Sequence, residues 1–141
     1  MHLSHFVVLF LVFSIATTTM ATLSLPSYYV SLRVLLAENL LNYIAHIGFE
    51  AYNHLRHTNV GPNIPQLSFG GMINVGSLVI KYMSGLSKRR YCVIFTGYHR
   101  GSQRWAVVRI FFTFPDNTPE HLMSFWNLDE NSITFDGFEY L

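Results

Sequence analysis

The feature that most constrains the fold of this 141-residue chain is one stretch with helical periodicity, SLRVLLAENLLNYIAHIGFE, at residues 31–50. We predict a single long helix here, capped at its start by Ser27 or Ser31 and ended by Gly48 in a left-handed conformation. Seven apolar side chains recur along it at helical spacing: Leu32, Leu35, Leu36, Leu40, Tyr43, Ile44 and Ile47. Because the polar residues form only a narrow stripe, other parts of the chain must surround most of the helix.

Two apolar residues, Val34 and Leu41, lie off the main apolar stripe, near the back of the predicted helix. An apolar side chain on an outward-facing position indicates contact with something beyond the single core. The sequence therefore predicts that Val34 and Leu41 bind a partner.

After this helix the apolar period changes from about 3.6 to two, which is typical of strands. The predicted strands are FEAYNHLRH (49–57), MINVGSLVIKYM (72–83), RYCVIFTGYH (90–99) and RWAVVRIFFTFP (104–115), with an edge strand in SITFDGFEYL (132–141). Pro and Gly mark a loop at 59–65, and RGSQ (100–103) marks a hairpin turn. The predicted fold class is α+β: one long N-terminal helix wrapped by a four- to five-stranded antiparallel meander sheet.

Charge is close to balanced overall but unevenly distributed. The formal net charge of +1 argues against a nucleic-acid-binding protein. Seven basic residues and no acidic ones lie in residues 81–109, whereas six acidic residues and no Lys or Arg lie in residues 116–141. Either the two segments lie side by side and neutralise each other, or the basic segment binds an acidic partner.

The N-terminus has the pattern of a secretory signal peptide. FVVLFLVFSIA (6–16) is an apolar run of the right length, and Ala21 ends a stretch of small residues suited to cleavage. We predict a signal peptide at residues 1–21, a single domain at 22–141, and a secreted protein that is not bound to a membrane after cleavage. An uncleaved anchor is the alternative. Cys92 is the only cysteine, so no intrachain disulfide can form, and a buried, unreactive thiol is expected.

The order of helix and then meander resembles the cystatin-like architecture, and more specifically the N-terminal half of latexin. Three segments carry the resemblance: YYVSLRVLLAENLLNY (28–43), RIFFTFPDNTP (109–119) and SITFDGFE (132–139). The resemblance implies a protease inhibitor whose target is a metallocarboxypeptidase, or a protein that pairs with a second cystatin-like subunit. Latexin has two such halves and inhibits largely through the second half and the junction, so no inhibitory residue is carried over.

Classical cystatins inhibit papain-like cysteine proteases with a hairpin of pattern Q-x-V-x-G. This chain resembles that pattern at QLSFG, which comprises Gln66, Leu67, Ser68, Phe69 and Gly70. The stretch follows the first predicted strand, where such a hairpin would lie, although Ser68 replaces the expected Val. We therefore treat these five residues as candidate protease-binding residues, with an ordinary turn as the alternative.

Sequence motifs of known enzyme classes are absent, which predicts a non-enzymatic protein without a cofactor. His54 and His57 form H-x-x-H, but on a strand residues three apart point to opposite faces, so no metal site is predicted. Cys92 with His54, His57 or His99 could form a nucleophile and base only if folding brings them together.

Aromatic residues are abundant in the strands, and they either fill the core or line a ligand cavity. Alternate positions of the strand at 104–115 form an unbroken apolar face: Ala106, Val108, Ile110, Phe112 and Phe114. Three functions follow from the sequence: a secreted protease inhibitor of cystatin-like or latexin-like type, a structural or interaction module of the extracellular matrix type that needs a partner, and a small-ligand carrier.

Overall fold

The computed structural model describes residues 23–58 and 63–141. One helix, five strands and two short 3₁₀ turns make up the described chain. In order they are β1 (Val30–Ser31), α1 (Glu38–Thr58), β2 (Ser68–Lys81), β3 (Ser87–His99), β4 (Arg104–Pro115), the 3₁₀ turns Glu120–Leu122 and Phe125–Asn127, and β5 (Asp129–Tyr140). The predicted signal peptide lies outside the described residues. Among the described residues, no helix is both long and apolar enough to cross a membrane.

The strands form one antiparallel sheet in the order β1-β2-β3-β4-β5, with α1 packed against one face. The predicted α+β class, with a single helix packed against a five-stranded antiparallel sheet, is confirmed, although β1 precedes the helix and only β2–β5 follow it as a meander. The turn at Arg100–Gln103 is also confirmed, and β4 covers the predicted residues 104–115. The final strand is longer than expected, since it begins at Asp129 rather than at residue 132.

The helix begins and ends later than the sequence predicts. Ser31 belongs to β1, and the backbone N–H of Leu32 donates to the carbonyl of Val75, so this part of the chain is tied to the sheet edge. The predicted caps at Ser27 and Ser31 are therefore wrong. Gly48 is an interior residue of α1 rather than its C-terminal cap. The strand predicted at 49–57 is also wrong, because these residues continue the helix to Thr58.

The buried face of α1 differs in phase from the predicted stripe. It consists of Leu41, Ile44, Ala45, Ile47, Gly48, Ala51 and Tyr52. Leu41 is 3% exposed and belongs to the core, so the prediction that it faces a partner is wrong. Leu41 faces inward because the helix continues through residues 49–57. Ala51 and Tyr52 of that segment lie on the same face of the helix as Leu41 and pack with it in the core. Val34 is 90% exposed but lies in the turn before α1.

Large side chains fill the space between α1 and the sheet. The predicted apolar face of β4 is confirmed as inward-facing, and it packs with alternate residues of β3. Four aromatic residues of these two strands are at most 1% exposed: Tyr91, Phe95, Phe112 and Phe114. They contact one another or Tyr52 of the helix at ring-centroid distances of 5.8–6.0 Å. These aromatics fill the core, which favours that interpretation over a ligand-lined interior.

The segment at residues 23–29, here called the N-terminal strap, packs on the other face of the sheet and contains a turn at residues 27–28. Leu25 packs over Gly76 of β2 and Leu23 over Gly137 of β5, so the strap crosses the sheet. Beneath it lies a second apolar cluster of Cys92, Ile94, Val107 and Phe111. The glycines make this approach feasible, because a Cβ at either position would lie 2.8 Å from the leucine side chain above it.

Candidate functional site

The QLSFG stretch does not form a hairpin. Gln66 and Leu67 precede β2, and Ser68–Gly70 are its first residues, paired with the end of β3. The stretch follows α1 rather than a strand, so the predicted hairpin position is wrong. Leu67 is buried beneath Gly97, where a Cβ would lie 2.9 Å from the Cβ of Leu67. Local pattern could not reveal this, because residues 49–57 alternate like a strand but belong to the helix.

The first hairpin after the helix is instead the β2–β3 turn, Tyr82–Leu86, here called the apolar turn. The backbone N–H of Tyr82 donates to the carbonyl of Leu86 at 2.9 Å, and the N–H of Gly85 donates to the carbonyl of Tyr82 at 3.0 Å. Gly85 has a φ of 86°, a conformation that favours glycine. The turn is therefore a defined structure that holds its side chains outward.

Three large apolar side chains of this turn face solvent. Met83 is fully exposed, Leu86 is 68% exposed and Tyr82 is about half exposed. The ammonium group of Lys88 lies 5.7 Å from the centre of the Tyr82 ring. Neighbouring apolar side chains exposed at the end of a hairpin indicate a binding surface, whereas single exposed ones do not.

The β4–β5 connection is held against the base of the apolar turn. Arg89 of β3 lies 3.1 Å from a carboxylate oxygen of Asp116 and 3.7 Å from one of Glu120. The hydroxyl of Ser87 also donates to Asp116, at 3.0 Å. Further along this connection, Trp126 is 87% exposed. The connection therefore places a second exposed aromatic residue beyond the end of β4.

The basic and acidic segments do lie side by side. Besides the Arg89 pairs, Arg109 donates to Asp136 at 2.8 and 3.2 Å. Arg90 donates instead to the side chains of Thr113 and Thr134 and to the carbonyl of Ser132. The prediction that the segments neutralise each other is confirmed for these strands. In the β3–β4 turn, the carbonyl of Arg100 accepts from the N–H of Gln103, whereas its guanidinium group contacts no acceptor within residues 23–58 and 63–141.

Cys92 is buried beneath the N-terminal strap, as the sequence predicts. Burial raises the pKa of its thiol to about 12, so the thiol stays protonated near neutral pH and is a weak nucleophile. His99 is engaged elsewhere, since its Nδ1 lies 2.8 Å from the hydroxyls of both Tyr140 and Ser102. The thiol's environment therefore does not support covalent catalysis by this cysteine.

The two histidines of H-x-x-H lie on the last turns of α1 and have different partners. His54 contacts a carboxylate oxygen of Glu130 at 3.7 Å, and its ring packs on Phe125. His57 contacts Arg56 at 3.1 Å. Within residues 23–58 and 63–141, no group of three or more potential metal ligands comes together.

Alkaline pH is expected to destabilise the protein, because Tyr91 and Cys92 are buried in their protonated forms. Burial raises the pKa values of Tyr91 and Cys92 to about 12, above the ordinary values of 10.0 and 9.0. Groups with a raised pKa in the folded state stabilise it fully below their unfolded values, and this stability is lost as pH rises toward the folded value. Urea denaturation at pH 8 to 12 should show midpoints that fall above pH 9. A constant midpoint up to pH 12 would contradict this.

No family model, no curated protein and no solved structure matches this chain. The class of protein is therefore described from the structure alone: an α+β domain with one helix packed against an antiparallel sheet and with an exposed apolar turn. Function is argued from that surface.

Proposed function

We propose that this protein is a secreted, non-enzymatic binding protein of cystatin-like architecture that inhibits a protease through the apolar turn. The observation that carries the proposal is the exposure of Tyr82, Met83 and Leu86 together on a hydrogen-bonded hairpin. The target class is a papain-like cysteine protease or a metallocarboxypeptidase, as the resemblance implies.

Burial of the apolar turn in a partner cleft would supply much of the binding free energy. Transfer of a large apolar side chain from water contributes roughly 1.5–3 kcal/mol. The hairpin hydrogen bonds and the Arg89–Asp116 pair already order the turn and its base, so little conformational entropy is lost on binding. Rigid loops inserted into a cleft are typical of protease–inhibitor complexes.

The position of the turn in the chain also supports an inhibitory role. In the resembled cystatins, the inhibitory hairpin follows the first strand after the helix. The apolar turn occupies this place here, because it joins β2 to β3, whereas QLSFG lies at the other end of β2. The proposal therefore transfers the protease-contacting role from Gln66–Gly70 to Tyr82–Leu86.

Secretion is supported by the sequence of residues 1–21, where an apolar run at 6–16 and small residues ending at Ala21 have the pattern of a cleaved signal peptide.

A second candidate function, an interaction module, is favoured by the sheet edge. Strand β1 has only two residues, which pair with Gly76 and Ser77, so no strand of the described chain lies beside the end of β2 beyond them. An apolar depression of about 370 Å³ lies along this edge, lined in part by Tyr28, Val30 and Leu35. Sedimentation of the mature chain tests this candidate: self-association supports it, whereas a monomer at all concentrations counts against a second copy as the partner.

Inhibition assays with one papain-like protease and one metallocarboxypeptidase test the first candidate. We expect inhibition of one of them by micromolar protein, and a rise of roughly 10- to 100-fold in the inhibition constant for Met83→Asp, because a carboxylate would enter an apolar cleft. Leu141→Asp is the matched control, since Leu141 is 50% exposed and pairs with the start of β4, at the opposite end of the sheet from the apolar turn.

The control variant should inhibit within about twofold of the unaltered protein. Loss of inhibition in both variants would place the contact elsewhere. Failure of the unaltered protein to inhibit either enzyme would refute the inhibitor proposal.

A further inference from the structure

The opposite end of the sheet contains a polar pocket. It has a volume of about 480 Å³ and is lined by Gln66, Leu67, Ser68, His99, Arg100 and Gly101. These residues come from the entry to β2 and from the β3–β4 turn, which are far apart in sequence but adjacent in the sheet. The pocket includes Gln66, Leu67 and Ser68, three of the five QLSFG residues. The proposed function assigns protease contact to the apolar turn and therefore gives these three residues no role.

Backbone features bring the two walls together. Ser68 pairs with Tyr98, so the residues before β2 continue alongside the end of β3. Gly97 leaves space for the buried side chain of Leu67, which anchors this wall. The β3–β4 turn then reverses the chain through Gln103, whose φ is 55°. The pocket is therefore formed by ordered strand ends.

Four of the six lining side chains can donate a hydrogen bond, those of Gln66, Ser68, His99 and Arg100, and none of the six is acidic. Arg100 is exposed, and its guanidinium group forms no hydrogen bond or ion pair with residues 23–58 or 63–141. Most other arginines of the strands differ in this respect, because Arg89, Arg90 and Arg109 are all engaged by acceptors. Arg100 therefore differs from the arginines of β3 and β4 in having a guanidinium group that is open to a ligand.

His99 is positioned to add a second donor. Its Nδ1 lies 2.8 Å from the hydroxyl of Tyr140 and 2.8 Å from that of Ser102, while its ring stacks on Tyr140. These contacts orient the imidazole through one nitrogen and leave Nε2 to interact with a ligand. An Nε2–H donor beside a guanidinium group suits an anionic oxygen.

We propose that this pocket binds the anionic group of a small molecule, a phosphate or a carboxylate. The planar guanidinium of Arg100 matches two oxygens of such a group, and His99 and Ser68 supply further donors. A volume of about 480 Å³ is within the range of small-molecule sites. The sequence left open an acidic partner for the basic segment at residues 81–109. In this proposal, that partner is a small anion bound at Arg100.

This site is separate from the apolar turn. Strand β2 has 14 residues, with Ser68 at the pocket and Lys81 beside the turn. At about 3.3 Å per residue, the two ends lie roughly 40 Å apart along the strand. Anion binding at this site and protease inhibition by the apolar turn can therefore be tested independently, and either can be absent without the other.

Isothermal titration calorimetry of the full chain with inorganic phosphate, glucose 6-phosphate and acetate tests the proposal. We expect Arg100→Gln to weaken binding of the preferred anion about 10- to 100-fold. Lys81→Gln is the matched control, because it removes the same charge from an exposed residue at the other end of β2, and it should change affinity less than about twofold.

The pattern among the three anions identifies the source of the bound group. Tighter binding of glucose 6-phosphate than of phosphate supports a phosphorylated small molecule, equal binding supports free phosphate, and a preference for acetate supports a carboxylate. Absence of binding by all three at millimolar concentrations overturns the proposal. Equal weakening by Arg100→Gln and Lys81→Gln also overturns it, since this would be a general charge effect.

Discussion

Replacement of Gly48 by Val is expected to destabilise the protein by about 3 kcal/mol, near the upper end of overpacking effects. Gly48 lies in the middle of α1 against Val93 of the central strand β3. A Cβ at residue 48 would lie 2.9 Å from both Cβ and Cγ1 of Val93, which is closer than packed carbons approach. Because Val93 is fully buried and its strand is paired on both sides, with Val75 and Ile110, neither side can move without disrupting other contacts.

Chemical denaturation of Gly48→Val, with Glu50→Val as the control, measures this effect. Glu50 is exposed on the same helix, so its variant carries the lower helix propensity of Val without the clash and should change stability by less than about 1 kcal/mol. Equal stability of the two variants would contradict the close contact. A C-terminal cap, which the sequence predicts at Gly48, would instead tolerate Asn at this position, whereas the interior contact would not.

Replacement of Leu25 by Asp is expected to release the N-terminal strap and expose Cys92. Leu25 packs over Gly76 and joins the apolar cluster that includes Cys92, which is fully buried. A carboxylate cannot enter this cluster without losing its hydration, so the strap should detach. The thiol would regain a pKa near its ordinary value and react at least about 100-fold faster with a chromogenic disulfide at pH 8.

Leu35→Asp provides the control for this experiment, because Leu35 is 68% exposed and outside the cluster. The control should leave the thiol as unreactive as it is in the unaltered protein. Circular dichroism of both variants shows whether the sheet remains intact. If Cys92 stays unreactive in a folded Leu25→Asp protein, the strap does not protect the thiol.

Strands β3 and β4 could be predicted because their signals are local. Alternate apolar residues, a four-residue polar turn and β-branched or aromatic composition all agree for residues 90–115. The structure pairs these strands from Lys88–Pro115 to His99–Arg104 without a register shift. Burial of Cys92 could likewise be predicted, since it lies within this apolar strand.

The helix boundaries could not be predicted from period alone. Residues 31–37 have helical spacing, yet Ser31 and Leu32 bond to β2, and this pairing depends on a strand more than 40 residues away. Residues 49–57 alternate like a strand, yet Ala51 and Tyr52 pack against the sheet as part of α1. Tertiary contacts override local preference where the two compete.

The candidate sites depend even more on tertiary contacts. Leu41 is a core residue rather than the predicted surface residue because the helix is shifted to residues 38–58, while Val34 is exposed in a turn. Gln66, Leu67 and Ser68 of QLSFG line a pocket because the end of β3 lies beside them. The apolar turn carries no motif, and only its exposure distinguishes Met83 and Leu86 from apolar residues of the core.

The sequence by itself determined the fold class, one helix and an antiparallel meander, because periodicity and turn residues act over a few neighbouring positions. Only the tertiary structure decided which residues of the helix face inward, that the N-terminal strap covers the second face of the sheet, and that Gln66–Ser68 meet Arg100. These outcomes depend on contacts between distant segments, whose free energies are absent from any local pattern.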